Sequence, residues 1–283
     1  MFSCSVENSR GDRLNLTGNP CYTVYQITGL NPPPATLNKS VNTTSHGSKI
    51  NSVRIEERNI VIYLKPERNI EKNRIKIYKH FPGGEFVTFY YSNDTRDVWI
   101  SGVVETVEVN QFENPQVMQI SIICNDPFFK DVKALKQSFS DIMPKFKFPF
   151  AIPGNGVAFS SHETKARVNI ENTGDIDTGV QITLFADGND VKNPTIHDIT
   201  HGIKMTLNIT MQKTDRIVIK STYFEKSITL IRDGVSTNAI GYMRPGSKWF
   251  NLSAGGNLFS YECESGSERL KIELLADVLY SGV

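Results

Sequence analysis

Apolar residues recur at every second position along most of this chain. Tyr22–Leu30, Val53–Leu64, Glu85–Ser92, Asp97–Val109 and Val117–Cys124 each mix β-branched and aromatic residues with alternating polar ones. That period of two predicts strands half-buried on a sheet. Asn31–Thr36 ("NPPPAT") and Pro82–Gly84 ("PGG") punctuate the runs as turns. One segment keeps a different period. In "NIEKNRIKIYKHF", Ile70, Ile77, Tyr78 and Phe81 recur at helical spacing after Asn69, a residue suited to an N-cap. The pattern predicts one amphipathic helix over Ile70–Phe81, packed on a sheet of the first half.

The stretch "ISIICNDPFFKDVK" (Ile120–Lys133) breaks the alternation midway. Cys124 stands at the break, and Asp126-Pro127 starts the turn that leaves the strand. Four prolines follow within Asn125–Gly156. Proline removes a ladder donor and biases the residue before it away from helix, so this reads as linker. The expected division is a first domain over residues 1–130, a linker over 131–155 and a second domain over 156–283.

In the second domain the period of two returns. "KARVNIEN", "GVQITLFAD", "IKMTLNITM", "DRIVIKS", "KSITLIRDG", "KWFNLSAG", "NLFSYECES" and "RLKIELLADVLY" are short strand signals separated by hairpin chemistry such as "RDGV", "ADGND" and "SAGGN". Such spacing predicts an antiparallel β-sandwich. The fold class expected for the whole chain is therefore mainly β, with one α-helix in the first domain. No internal repeat period is visible, which disfavours propellers and solenoids.

Composition narrows the function. The chain has 283 residues, enough for two domains of ordinary size, and 39% of them are apolar. Lysine and arginine number 31 against 30 acids, a net charge of +1. A balance that close does not favour gripping nucleic acid or anionic lipid. The N-terminal residues lack a basic stretch followed by an apolar one, and no apolar run reaches a membrane span, so neither secretion nor membrane insertion is expected. The four cysteines, Cys4, Cys21, Cys124 and Cys263, are far apart and expected to be reduced.

Candidate chemistry is sparse. Cys124 has neither a histidine base in motif with it nor a setting that stabilises a thiolate, so it reads as structural. "HDITH" places His197 and His201 on either side of Asp198 at a metal-like interval, but i,i+4 imidazoles converge only on a helix. Pro194 before and Gly202 after make it a strand, a turn and a strand, with no third ligand evident. Arg10-Gly11-Asp12 matches an adhesion tripeptide and suits a tight hairpin turn with Gly11 at its tip. Tyr242, Trp249 and Phe250 carry the aromatic surface a sugar platform needs, and sandwich cores need the same residues. Acidic pairs such as Glu56-Glu57 fall in no catalytic motif, and no phosphate loop, HExxH or nucleophile elbow occurs. The expectation is no catalytic residue, no metal ligand and no cofactor.

Taken in order, several landmarks resemble the distal tail protein family of long-tailed, non-contractile phages infecting Gram-positive bacteria. They are "YQITGLNPPPAT", "VRIEERNIVIYLK" with the helix "NIEKNRIKIY", "DVWISGVVETVEVNQF" and "MQISIICNDPFF" in the first half. The second half adds "NIENTGDIDTGVQITLFADG", "NPTIHDITHG", "FNLSAGGNLFSYE" and the terminal "YSGV". The resemblance implies a non-enzymatic subunit of a homohexameric ring at the tail tip. The first domain would form the ring and the second a galectin-like sandwich, with the last residues returning to the first domain near Tyr280. Implied partners are further copies of the chain, the tail tube protein, the tail-tip hub protein and, in many phages, a receptor-binding protein, with DNA only in transit and no membrane. The implied location is the virion tail tip, after assembly in the host cytoplasm, and a prophage copy fits equally.

Physical reasoning is compatible with that implication. A head-to-tail ring uses two different surfaces on each subunit, and closure satisfies both. Strand edges offer such surfaces, and near-neutral charge lets DNA slide through a channel. The alternative is a carbohydrate-binding adhesion module for host wall polysaccharide. Galectin sugar sites combine histidine, asparagine and arginine around a stacking tryptophan, and no such cluster is legible around Trp249.

Overall fold

The computed structural model of the chain describes residues 2–41, 44, 46–140 and 167–283. Backbone contacts divide it into two compact units, Met1–Val132 together with Leu279–Val283, and Lys133–Val278.

The first unit is built from β1 (Ser3–Asn8), β2 (Arg13–Asn15), β3 (Tyr22–Thr28), a ribbon of β4 (Ala35–Val41) and β5 (Ser48–Ile55), β6 (Arg58–Pro66), helix α1 (Ile70–His80), β7 (Phe86–Ser92), β8 (Asp97–Val109), β9 (Met118–Cys124) and β10 (Phe129–Asp131). Its main sheet is antiparallel in the order β2-β1-β7-β8-β9-β6-β3, with β10 joining β8. Alternation explains the burial. On β6, Ile60, Ile62 and Leu64 face the core, and on β9 Met118, Ile120, Ile122 and Cys124 do so. Gly102 on β8 lets β9 come close, because a Cβ there would lie 2.6 Å from the Ile123 carbonyl oxygen and 2.8 Å from the Cys124 sulfur.

Helix α1 lies where the pattern places it, but its buried side differs from expectation. Ile77 and the following Phe81 are buried, whereas Ile70 is exposed; Asn73, Arg74 and His80 fill the rest of the buried side. Asn69 does not cap the helix with its side chain. It adopts a left-handed backbone, and the Asn73 amide donates instead to the Arg68 carbonyl. The polar stripe anchors the helix to two distant strands. The Tyr22 hydroxyl on β3 donates to the Asn73 carbonyl at 3.3 Å, and His80 Nε2 bonds the Val6 carbonyl on β1 at 3.0 Å. Helix α1 thus ties together β1 and β3, which stand near opposite ends of the sheet order.

The run Val53–Leu64, read as one strand, is two. It breaks at Glu56-Glu57, where the Glu56 amide bonds the Pro34 carbonyl, and β5 and β6 then serve different sheets.

The second unit contains β11 (Leu135–Ser140), β12 (Arg167–Asn172), β13 (Thr178–Ala186), β14 (Val191–Lys192), β15 (Thr195–Asp198), β16 (Ile203–Thr206), β17 (Thr210–Met211), β18 (Arg216–Ser221), β19 (Lys226–Arg232), β20 (Val235–Asn238), β21 (Asn251–Leu252), β22 (Gly255–Glu262) and β23 (Leu270–Ala276). One sheet runs β11-β23-β13-β18-β19-β20 and another β12-β22-β15-β16, all antiparallel. Val180, Ile182 and Leu184 from the first sheet and Ile170, Ile196, Phe259 and Tyr261 from the second belong to one buried cluster, as a sandwich requires.

Of the linker expected over residues 131–155, the part beyond 140 lies outside the described residues. Within the part before it, Leu135–Ser140 is strand and pairs along β23. The prolines that argued against a strand stand at 127, 144, 149 and 153, leaving this segment free to donate to a ladder. Lys136 also reaches Glu273 across the pair at 2.7 Å. After β23 the chain rejoins the first unit as β24 (Leu279–Tyr280), which pairs with β10.

Candidate functional site

Two side-chain clusters stand out, one in each unit. In the first, Arg58 occupies the leading position of the β6 core stripe, where period two calls for an apolar residue, and is 2% exposed. Its Nε donates to the Pro127 carbonyl at 2.7 Å, Nη1 to the carbonyls of Asn31, also at 2.7 Å, and Gly29, and Nη2 to the Ser281 carbonyl at 2.6 Å. The Phe129 ring lies 4.4 Å from the guanidinium carbon. Burial pushes the Arg58 pKa down to about 10, which still leaves it charged at neutral pH. Four carbonyl dipoles share that charge, so one residue fastens two loops and the C-terminal segment. A Cβ at Gly29, which has positive φ, would run into the Asn59 carbonyl, so only glycine brings that loop within reach. Arg96 makes a second clasp, bonding the Gly282 carbonyl and lying 4.3 Å over the Tyr280 ring, while the Tyr280 hydroxyl donates to Asp131 at 3.0 Å. This cluster is joinery and has no reactive group.

In the second unit, "HDITH" forms the end of β15 and its turn into β16. His197 and His201 do not converge. His197 Nε2 bonds Glu262 at 3.0 Å, whereas His201 Nδ1 meets Asp198 Oδ2 at 2.6 Å and Nε2 meets Ser253 Oγ at 2.8 Å. Among the described residues no group of three or more histidine, cysteine, aspartate or glutamate side chains has metal-binding geometry.

The order Ser253–His201–Asp198 has the connectivity of a hydrolytic triad, which the sequence did not reveal because 52 residues separate serine from histidine. Attack by a serine also needs donors aimed at a developing oxyanion. The amide after the serine, Ala254 N–H, is taken by Asp177 Oδ1 at 3.2 Å. The trio instead ties two turns together. Asp198 also accepts the His201 amide, the Ile199 amide bonds the Leu258 carbonyl, and Thr200 Oγ1 accepts the Leu258 amide. Ser253 is held in turn by Asn257, whose side chain accepts the Ser253 amide and donates back to its carbonyl.

The remaining candidates have structural positions. Phe250 is fully buried and meets Phe259 edge-on at 5.8 Å, Trp249 packs against the same core, and Tyr242 is 44% exposed. They form no shared platform of exposed rings. Arg10-Gly11-Asp12 is the β1–β2 turn, with Gly11 at positive φ and Arg10 Nη2 donating to the Lys79 carbonyl. Cys124 ends β9, and burial pushes its thiol up to about 12, the opposite of an activated nucleophile. No helix among the described residues is long and apolar enough to cross a membrane.

The chain folds as two antiparallel units, the second interrupting the first before its last strand. The chain is similar to the crystal structure of the phage SPP1 Dit protein, described as a paradigm of the hub adsorption apparatus of phages infecting Gram-positive bacteria. The TM-score is 0.68 at 11% identity, with 98% of each chain covered. It is also similar to a chain of the phage P2 baseplate in its activated conformation with calcium, with a TM-score of 0.52, 12% identity and 98% of each chain covered. At such identities the likeness is one of fold. In sequence, residues 173–274 match the family model of the siphovirus-type tail component, C-terminal domain. No curated protein sequence matches the chain.

Proposed function

We propose that this chain is a structural subunit of a phage tail tip, a distal tail protein whose copies close into a homohexameric ring between the tail tube and the tip hub. The observation that carries the proposal is a siphovirus-type tail component domain on residues 173–274 within a chain whose whole fold is similar to a phage hub protein. The first unit would form the ring and the second the outward module, with DNA passing through the channel. The protein would be assembled in the host cytoplasm and reside at the virion tail tip, where it contacts tube, hub and, in phages that use one, a receptor-binding protein. No enzymatic step is assigned, because the Ser253 trio is committed to holding turns and Cys124 is a buried, protonated thiol.

Light scattering across a concentration series tests this reading. Reversible growth from one copy to six supports it. A protein monomeric at millimolar concentration, and absent from purified tails, overturns it.

A further inference from the structure

His80 is buried, and its hydrogen-bond partners fix where its proton sits. The Val6 carbonyl can only accept, so Nε2, 3.0 Å away, carries the hydrogen. Nδ1 then holds the lone pair of a neutral imidazole, and it faces the Asn8 side-chain nitrogen at 3.5 Å, a long contact. The Asn8 amide cannot be turned the other way round. Its Oδ1 accepts the backbone N–H groups of Arg10 and Asp12, each at 3.0 Å, and such groups only donate. Nδ2 is therefore left to the imidazole, with Asp12 Oδ2 beside it at 3.4 Å. One chain of forced polarities runs from Val6 through His80 and Asn8 into the β1–β2 turn.

A proton added at Nδ1 breaks that chain, because two donors then face each other in a buried setting. Flipping the Asn8 amide offers the imidazolium an acceptor, but it turns Nδ2 towards the Arg10 and Asp12 amides, which lose theirs. Drawing the Asp12 carboxylate to the ring instead takes it from Asn8 Nδ2 and from Arg10 Nε, each 3.4 Å away. Either route undoes the turn. The other groups around the ring do not rescue it. Lys76 on α1 and Arg10 in the turn disfavour the imidazolium, and the Phe81 ring meets it edge-on at 5.0 Å. Glu85, before β7, is engaged by Ser9 Oγ at 2.6 Å, and β7 sets the apolar Val87 opposite Asn8. The damage stays local. Beyond the turn Leu14 and Leu16 are buried, and the Leu16 amide bonds the Cys4 carbonyl at 3.0 Å.

We propose that the β1–β2 turn is a proton-operated latch: a proton on His80 Nδ1 makes Asn8 release the Arg10 and Asp12 amides, and residues 9–12 open while the sheet stays folded. The exposed side chains of Arg10 and Asp12 are then held on a fixed turn at neutral pH and on an open loop in acid. The latch is internal to one copy and does not depend on the ring reading.

Deuterium exchange of the full chain between pH 8 and pH 5, read residue by residue and corrected for the intrinsic rate at each pH, tests this. Protection of the Arg10 and Asp12 amides should fall about tenfold between pH 7 and pH 5, while the amides of β7 and β8 keep theirs. In His80→Gln that fall should vanish. Asn8→Asp sets an acceptor against Nδ1, so protection of the same two amides should rise as the pH drops. Level protection in the parent overturns the latch, as does a loss shared by β7 and β8, which is unfolding of the whole unit. A fall that survives in His80→Gln, or that is not reversed in Asn8→Asp, overturns it too. If His80→Gln does not fold, the parent and Asn8→Asp decide.

Discussion

Arg58 Nη2 donates to the main-chain carbonyl of Ser281 at 2.6 Å, joining residues 223 positions apart. The bond closes the first unit with the last few residues of the chain, after the whole second unit has been inserted between β10 and β24. The first unit is thus complete only after the second has been made.

Arg58→Met should destabilise the first unit by about 3–5 kcal/mol, because four carbonyls lose their donor in a buried setting. The chain has two tryptophans, Trp99 in the first unit and Trp249 in the second. With Trp249→Phe as background, denaturant unfolding followed by Trp99 fluorescence reads this unit alone. A loss below about 1 kcal/mol would mean that water replaces the guanidinium.

His80 should make the same unit acid-sensitive. Burial holds its pKa below the ordinary imidazole value; the bond to Val6 and the charge of Asp12 oppose this, and Arg10 and Lys76 add to it. The unfolded chain therefore binds the proton more readily, so stability is full above the ordinary value of 6.5 and falls as pH drops through the depressed folded value. The expected outcome is a lower midpoint at pH 5 than at pH 7.5, with a shallower slope in His80→Asn. An unchanged slope in that variant would assign the acid sensitivity to other groups.

In the second unit, Asp215 is buried and held by Arg232, with Nη2 to Oδ2 at 2.6 Å, and by the Gln212 amide at 2.7 Å. Burial pushes its carboxyl up, but these donors outweigh burial, and the net shift is downward. Arg232→Met leaves the carboxylate buried without its partner and should cost about 3 kcal/mol. It should also reverse the acid response, because a carboxyl that prefers its proton is stabilised as pH falls. A variant as stable as the parent contradicts this.

Ser253→Ala and His201→Ala should lower the stability of the second unit by about 1 kcal/mol each, as lost turn ties. Neither should alter hydrolysis of an activated ester, which is expected at the buffer rate. A burst of released nitrophenol that disappears in Ser253→Ala would contradict the structural role.

Thiol chemistry gives an independent check. Burial pushes Cys4 and Cys263 up to about 11 and Cys124 up to about 12, and all four cysteines are free. At pH 7.5 a disulfide reagent should label Cys21 ahead of the other three. Rapid labelling of Cys124 in the folded protein would contradict the packing of β9 against Gly102.

The strands were legible wherever period two met apolar residues, as on β8, whose ends were read at Asp97 and Val109. The β4–β5 ribbon was not, because the bulge at Asn51 shifts the alternation and no core demands it. Arg58 was legible only as an anomaly, a cation in step with Ile60, Ile62 and Leu64, and its acceptors come from residues far apart in sequence. The Asp198–His201 half of the turn clamp lay inside a motif already singled out, while Ser253 lay beyond any local pattern. Strand β11 was missed because prolines at 127 and 144 coloured the reading of the residues between them.

The ring is tested most directly by imaging the purified full chain at concentrations where it assembles. The account predicts closed six-membered circles around an open channel. Monomers at every concentration, or open filaments with no circles, would contradict it.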